Sequence, residues 1–228
     1  MHVPRLLIAV ALIGSTLAIA TPMAKADLML GAANRGWIRD SDFQANGSGP
    51  VMNHIVGTLD TAGGIELRNW FVFDLTAVLT PIVSAELLLD NPSIFSDDGF
   101  EVYQLTSTTS TPATLIAAGG GAGVFGSLGT GTVFSTITVY DPADDGATLS
   151  LALNAAGIAF LNANLGGLVA FSGRVTTLDA SPTEALFGSS GSAAFSTDLH
   201  LTPIPAPGAA LLAMMGLPLV GWFKRRFA

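Results

Sequence analysis

The stretch that decides the fold is IELRNWFVFDL, residues 65–75. Ile65, Leu67, Phe71, Phe73 and Leu75 share one parity, broken only at Asn69. A two-residue period places them on one face of an extended strand, with Trp70 and Val72 on the other. After Pro81 the pattern returns, Val83, Ala85, Leu87 and Leu89 alternating with Ser84 and Glu86. The two strands are expected to form the central pair of a sheet, with Phe71, Phe73, Leu87 and Leu89 in the core.

Outward from this pair, short apolar segments separated by Gly, Ser, Thr and Asp read as further strands at 51–59, 100–105, 132–140, 147–153, 167–172, 184–187 and 198–202. Nine short strands point to an all-β fold, a single antiparallel β-sandwich over residues 27–202. The exception is 154–165, where Asn154 can cap a helix and Ile158, Leu161 and Leu165 recur at helical spacing, so one short helix is expected there. Gly119-Gly120-Gly121-Ala122-Gly123 has no Lys-Ser or Lys-Thr after it and reads as a flexible loop, not a phosphate cradle.

Residues 27–202 hold four arginines, no lysine and all seventeen acidic residues, a formal charge of −13. That balance argues against nucleic acid and anionic lipid as partners. The chain has no cysteine, which excludes thiol catalysis, cysteine-ligated zinc and disulfides. A domain of this length buries enough of its chain to stand on its own core.

Both flanks read as addresses. Residues 1–26 carry Arg5, an apolar run over 6–20 and the small-residue pattern Ala24-Lys25-Ala26, a secretory signal peptide cleaved to leave Asp27 first. At the other end Pro203, Pro205 and Pro207 fall on alternate residues, which favours an extended, donor-poor arm. Residues 208–223 follow without a charge, then Lys224, Arg225 and Arg226. Sixteen helical residues reach about 24 Å, close to a hydrocarbon core of about 30 Å, and a basic cytoplasmic end would leave everything before Pro203 outside the inner membrane. The tail, 203–228, is therefore expected to be a transmembrane helix with a positive stop.

Ile204-Pro205-Ala206-Pro207-Gly208, the apolar run and the basic end together resemble the bacterial PEP-CTERM sorting signal. The resemblance implies recognition by an exosortase, a membrane cysteine transpeptidase that removes the anchor and passes the protein to the outer surface. Ala206 stands where that signal has Glu. Residues 68–75, followed by 84–89, resemble PEP-CTERM proteins with DNRLRE-like or carbohydrate-module-like jelly-roll domains, and 126–131, 153–156 and 166–174 are similar to them too. These core and turn motifs carry no catalytic residue; they imply a jelly-roll fold.

Chemistry has few footholds. Asp141, Asp144 and Asp145, with Gly146, form the densest carboxylate cluster, and Asp97, Asp98 and Glu101 form another; hard oxygen ligands suit Ca²⁺. An EF-hand loop fails, because counting from Asp141 puts Ala143 at the third position and Ala152 at the closing one. Asp-Asp-Gly also favours a solvated turn for backbone reasons alone, so no metal or cofactor is expected, with Ca²⁺ at Asp141, Asp144 and Asp145 the minority alternative. His54 and His200 are the only histidines after residue 26, neither with a recognisable triad partner, and no G-x-S-x-G occurs. His200 alternates with Leu199 and Leu201 and should face outward. Asp74, Glu86 and Glu101 sit on or beside strands and are the acids a glycosidase could use. Trp37, Trp70, Tyr103 and Tyr140 read as core aromatics, with a sugar-stacking platform as the competing reading.

The expectation is thus a non-enzymatic, exported surface or extracellular-matrix protein, sorted by an exosortase and associating with exopolysaccharide. Its partners are the secretion machinery, the exosortase and, before processing, the inner membrane; nucleic acid is excluded. The alternatives are a secreted glycan-active enzyme and a permanently membrane-tethered structural protein.

Overall fold

The structure, a computed structural model, describes residues 27–59, 64–179 and 183–204. The expected signal peptide with Ala24 and Ala26, and the expected tail from Pro205, Ala206 and Pro207 through 208–223 to Lys224, Arg225 and Arg226, lie outside the described residues. Among those described, no helix is long and apolar enough to cross a membrane.

The elements run β1 (Leu28–Gly31), β2 (Asn34–Arg39), β3 (Ala45–Gly49), β4 (Val56–Thr58), β5 (Glu66–Asp74), β6 (Ile82–Asn91), β7 (Phe100–Ser107), α1 (Pro112–Ile116), α2 (Ala122–Ser127), β8 (Val133–Tyr140), β9 (Ala147–Ala152), α3 (Ala155–Ala163), β10 (Leu168–Val175), β11 (Glu184–Leu186) and β12 (Thr197–Pro203). They form two antiparallel sheets: a smaller one in the order β1-β12-β6-β9, and a larger one in the order β11-β4-β5-β10-β7-β8, to which β2 and β3 add beside β5.

The inner faces of the two sheets share one core. Phe71, Phe73, Tyr103, Leu105, Phe134 and Phe171 come from the larger sheet, Leu87, Leu89, Leu149, Leu151, Leu199 and Leu201 from the smaller. Aromatic edges lock the centre: Phe134 and Phe171 meet with ring centroids 5.9 Å apart, Phe73 and Phe171 at 6.0 Å. The all-β reading and the four named core residues hold.

The expected central pair does not form. β5 pairs with β10, β2 and β4, and β6 pairs with β12 and β9, so the two strands belong to different sheets that face each other. Alternation tells which side of a strand is apolar but not which strand lies at its edge. Val83 also departs from its parity. A register shift at Thr202/Pro203 changes the phase at the start of β6, so Ile82 turns inward and Val83 is left exposed.

Trp70 and Val72 do point away from the main core, and they are buried all the same. Leu115 of α1, Phe125 of α2 and Leu128 close over them with Ile38 and Ala170, a second apolar cluster on the outer face of the larger sheet. This cover explains two helices that the sequence reading does not contain. α1 begins at Thr111-Pro112, with the Thr111 side chain accepting from the Thr114 N–H at 3.2 Å. α2 starts inside the glycine run, so the loop expected over 119–123 ends at Gly121, which caps the helix. Burying Phe125 against the sheet outweighs the poor helix propensity of glycine.

The helix expected at 154–165 is present as α3, and the Asn154 side chain accepts from the Gly157 N–H at 3.0 Å. Leu161 is buried, and Ile158 and Leu165 pack against the core. β1, β2 and β3 add to the strands that the sequence pattern marks, and of 51–59 only β4 is a strand.

The two ends of the fold lie side by side. β1 pairs antiparallel with β12, Leu28 opposite Leu201, and the Thr202 hydroxyl donates to Asp27 Oδ1 at 3.1 Å. Pro203, assigned to the arm in sequence, closes β12, and the Ile204 N–H donates to Pro81 O at 2.7 Å.

Candidate functional site

The sequence offers acids wherever turns occur; the fold decides which of them meet. Asp97 and Asp98 lie in the turn before β7, and Asp98 is occupied in shaping it, accepting from the Ser96 hydroxyl at 2.8 Å and the Phe100 N–H at 3.3 Å. An isolated bridge between Phe95 and Ala185 brings this turn against β11, whose first residue is Glu184. Beyond the end of β10 the chain passes Thr177 and reaches Asp179, whose N–H donates to Glu184 Oε2 at 2.9 Å. Carboxylate oxygens of Asp97, Asp179 and Glu184 consequently lie within 4.8 Å of one another.

Glu101, second residue of β7, is buried beside this group. Its Oε2 accepts from the Thr177 hydroxyl, which in turn accepts from the Val102 N–H at 3.0 Å. Its Oε1 is buried with no hydrogen-bond partner. Burial is the main cause that pushes the Glu101 carboxyl upward; the Thr177 and Ser96 hydroxyls oppose it, and the charges of Asp98 and Asp97 add to it. Glu184 is likewise raised, first by burial, with the Asp179 N–H opposing and the charges of Glu101, Asp179 and Asp97 adding. The ionised groups bearing on Glu184 all have one sign, which makes the cluster costly without a counter-charge.

The Asp141–Asp145 turn is built differently. The Asp144 carboxylate accepts from the Tyr140 N–H at 2.8 Å, and the Asp144 N–H returns a bond to Tyr140 O at 2.8 Å, closing the link between β8 and β9. Asp145 is exposed. Among the described residues the carboxylates that converge are those of Asp97, Asp179 and Glu184, not those of Asp141, Asp144 and Asp145.

The glycosidase acids are not brought together. Asp74 lies opposite Leu168 at one end of β10, Glu101 beside Thr177 beyond its other end, nine residues or about 30 Å away along the chain. Glu86 is on the other sheet. Nor do the aromatics make a platform: Trp70 and Tyr103 are fully buried, Trp37 packs beside Ile55 and Leu67, and Tyr140 alone is exposed.

His54 is a core residue. Its ring sits 5.3 Å from Phe71 and 5.3 Å from Phe187, neither nitrogen has a hydrogen bond, and burial followed by the Arg35 charge holds it neutral, well below its ordinary value. His200 faces outward as expected, its Nδ1 3.0 Å from Glu86 Oε1 and its Nε2 3.9 Å from Asp27 Oδ2. His200 and Glu86 line a shallow depression of about 230 Å³ with Ser84, Ala85, Ala152 and Thr202. The Ser150 hydroxyl donates to Glu86 at 2.5 Å and with His200 lowers that carboxyl. Its proton is thus directed at the carboxylate and not at the imidazole, so no Ser-to-His proton relay is assembled.

No protein-family model matches this chain, and no curated protein matches it. The convergent acids lie at 97, 179 and 184, and sequence reasoning finds the first of them alone. The signal available was the pair of acids at Asp179 and Glu184 on either side of a short loop, which gains meaning only when β11 docks beside residue 95.

Proposed function

We propose that this is an exported, non-enzymatic β-sandwich protein of the jelly-roll kind, carried across the inner membrane by residues 1–26 and sorted by an exosortase through the tail 203–228. It acts at the cell surface or in the extracellular matrix, with exopolysaccharide as the ligand class. The observation that carries the reading is the pairing of two targeting segments with one acidic, lysine-free domain between them. Support comes also from the neighbouring positions of Asp27 and Thr202, so that both targeting segments join the domain at one end of the smaller sheet. A domain joined in this way hangs from the membrane by a single point, and the proline arm is left between domain and lipid for a transpeptidase to bind.

Replacing Pro205 and Pro207 with alanine tests this, since 208–223 and the three basic residues stay intact. The variant should be exported yet remain uncleaved in the inner membrane, while deletion of 208–228 should release soluble protein. Normal processing of the proline variant, read by mass spectrometry of the mature C-terminus, would leave the tail a plain anchor and favour the permanently tethered alternative.

A further inference from the structure

We propose that the end of the sandwich at which Ile204 lies is a membrane-facing surface, seated on the outer leaflet of the inner membrane while the tail is attached. Four apolar side chains stand out of this end: Leu79 is 78% exposed, Val83 51%, Ile204 45% and Leu168 39%. Hydrogen bonds tie their segments together. The Ile204 N–H donates to Pro81 O at 2.7 Å, the Gly166 N–H to Leu75 O at 3.0 Å, and the Leu75 N–H to Gly167 O at 2.8 Å. Asn162 of α3 grips Ile82, its Oδ1 accepting from the Ile82 N–H at 2.7 Å and its Nδ2 donating to Ile82 O at 2.9 Å. α3 therefore lies at the same end, and its exposed residues are Ala155, Ala156, Ala159 and Ala163, where a helix facing water ordinarily carries charged or polar groups.

Charge sets this end apart. Residues 75–85 and 146–173, which with Ile204 supply these side chains, hold no charged residue, although residues 27–202 carry a formal −13. The acids that border it are Asp74, opposite Leu168, and Asp27, which accepts from Thr202. Apolar side chains gathered at one place mark an interaction face, whereas single scattered ones need no explanation. The occupant follows from where the described chain stops. Three residues, 205–207, separate Ile204 from the uncharged run 208–223, and three residues reach at most about 11 Å. A headgroup layer is about 5–8 Å deep, so a membrane-embedded 208–223 keeps Ile204 within a few ångströms of the lipid headgroups. So short an arm cannot hold the domain off the bilayer, and shallow burial of Leu79 and Val83 backs the single covalent joint. The inference rests on the reading of 208–223 as a membrane segment.

The chain has no cysteine, so single introduced ones report position. The full chain, made in a host without an exosortase so that the tail stays on, is reconstituted in phosphatidylcholine vesicles containing headgroup-nitroxide lipid, with a fluorophore on Leu79→Cys, Ala163→Cys or Asp145→Cys. Asp145 adjoins Gly146, which bonds Asn91 O at the far end of β6, about 30 Å from Ile82. Nitroxide should quench the Leu79 and Ala163 probes at least about twofold more strongly than the Asp145 probe, as expected for side chains at interfacial depth. Leu79→Asp with Val83→Asp, at exposed positions, should bring the Ala163 probe down to the Asp145 level while the Tm in detergent stays unchanged. Flotation with the vesicles after a carbonate wash reads the anchor separately. A chain that washes off overturns the anchor and this proposal together; a chain that floats with equal quenching, or none, at all three probes overturns this proposal alone. It is likewise overturned by an undiminished Ala163 signal in the doubly acidic variant. Blue-shifted Leu79 emission without nitroxide quenching would overturn it too, giving the face to the tail or to a second copy.

Discussion

Asn69 is the residue that breaks the apolar parity of β5, and the structure gives it a measurable role. It is fully buried between the sheets; its Nδ2 donates to His54 O at 2.8 Å and its Oδ1 accepts from the Tyr103 hydroxyl at 3.0 Å. Tyr103 is itself fully buried, and its phenol is pushed far up by desolvation, so it stays a neutral donor. Replacing Asn69 with alanine strips both bonds and strands two buried polar groups, each costing about 1–3 kcal/mol, for a total of about 2–6 kcal/mol. In a domain of this size, at about 2–4 °C per kcal/mol, that lowers Tm by at least about 4 °C. Tyr103→Phe should cost less, about 1–2 kcal/mol, leaving one acceptor unpaired. The decisive comparison is Asn69→Leu with Tyr103→Phe: the double variant, measured by urea and thermal unfolding, should lose at least about 1 kcal/mol less than the two single losses combined, because neither stranded partner of that bond remains. Additive losses, or an Asn69→Ala loss below about 0.5 kcal/mol, would refute the view that this pair is a closed buried polar unit.

Two further outcomes follow from the packing. Gly36→Ala should destabilise by about 1–3 kcal/mol in the same unfolding assay, since a Cβ there would sit 2.5 Å from the Trp70 ring in a filled cluster, and Ala33→Ser at a solvent-facing position serves as the silent control. His54 gives a pH dependence: its folded value is far below the ordinary one, so below about pH 6.5 the unfolded chain takes up a proton that the native ring refuses. The stability it contributes is present above that pH and falls by up to about 1.4 kcal/mol per unit as pH drops towards the folded value. His54→Phe should flatten the Tm-against-pH curve between about pH 4.5 and 6.5; an unchanged slope would show that another group governs it.

The sequence determined the strands whose one face meets a core and whose other face meets water or a thin cover. Phe71, Phe73, Leu87 and Leu89 were legible because a period of two is a local property of the chain, and α3 was legible because Asn154 caps it and its apolar spacing is local too. The targeting roles proposed for 1–26 and 203–228 likewise rest on contiguous residues. Tertiary structure alone decided partners: that β5 and β6 face each other and do not pair, that Trp70 is buried under α1 and α2, and that Asn69 finds Tyr103 thirty-four residues away. It decided the carboxylate site for the same reason. Asp97, Asp179 and Glu184 lie in separate segments of the chain, and their carboxylates converge only because the turn before β7, the segment after β10 and β11 meet at one end of one sheet. Alternation records how much apolar surface a strand must bury, while the choice of neighbour depends on the simultaneous packing of every strand, which no single segment encodes.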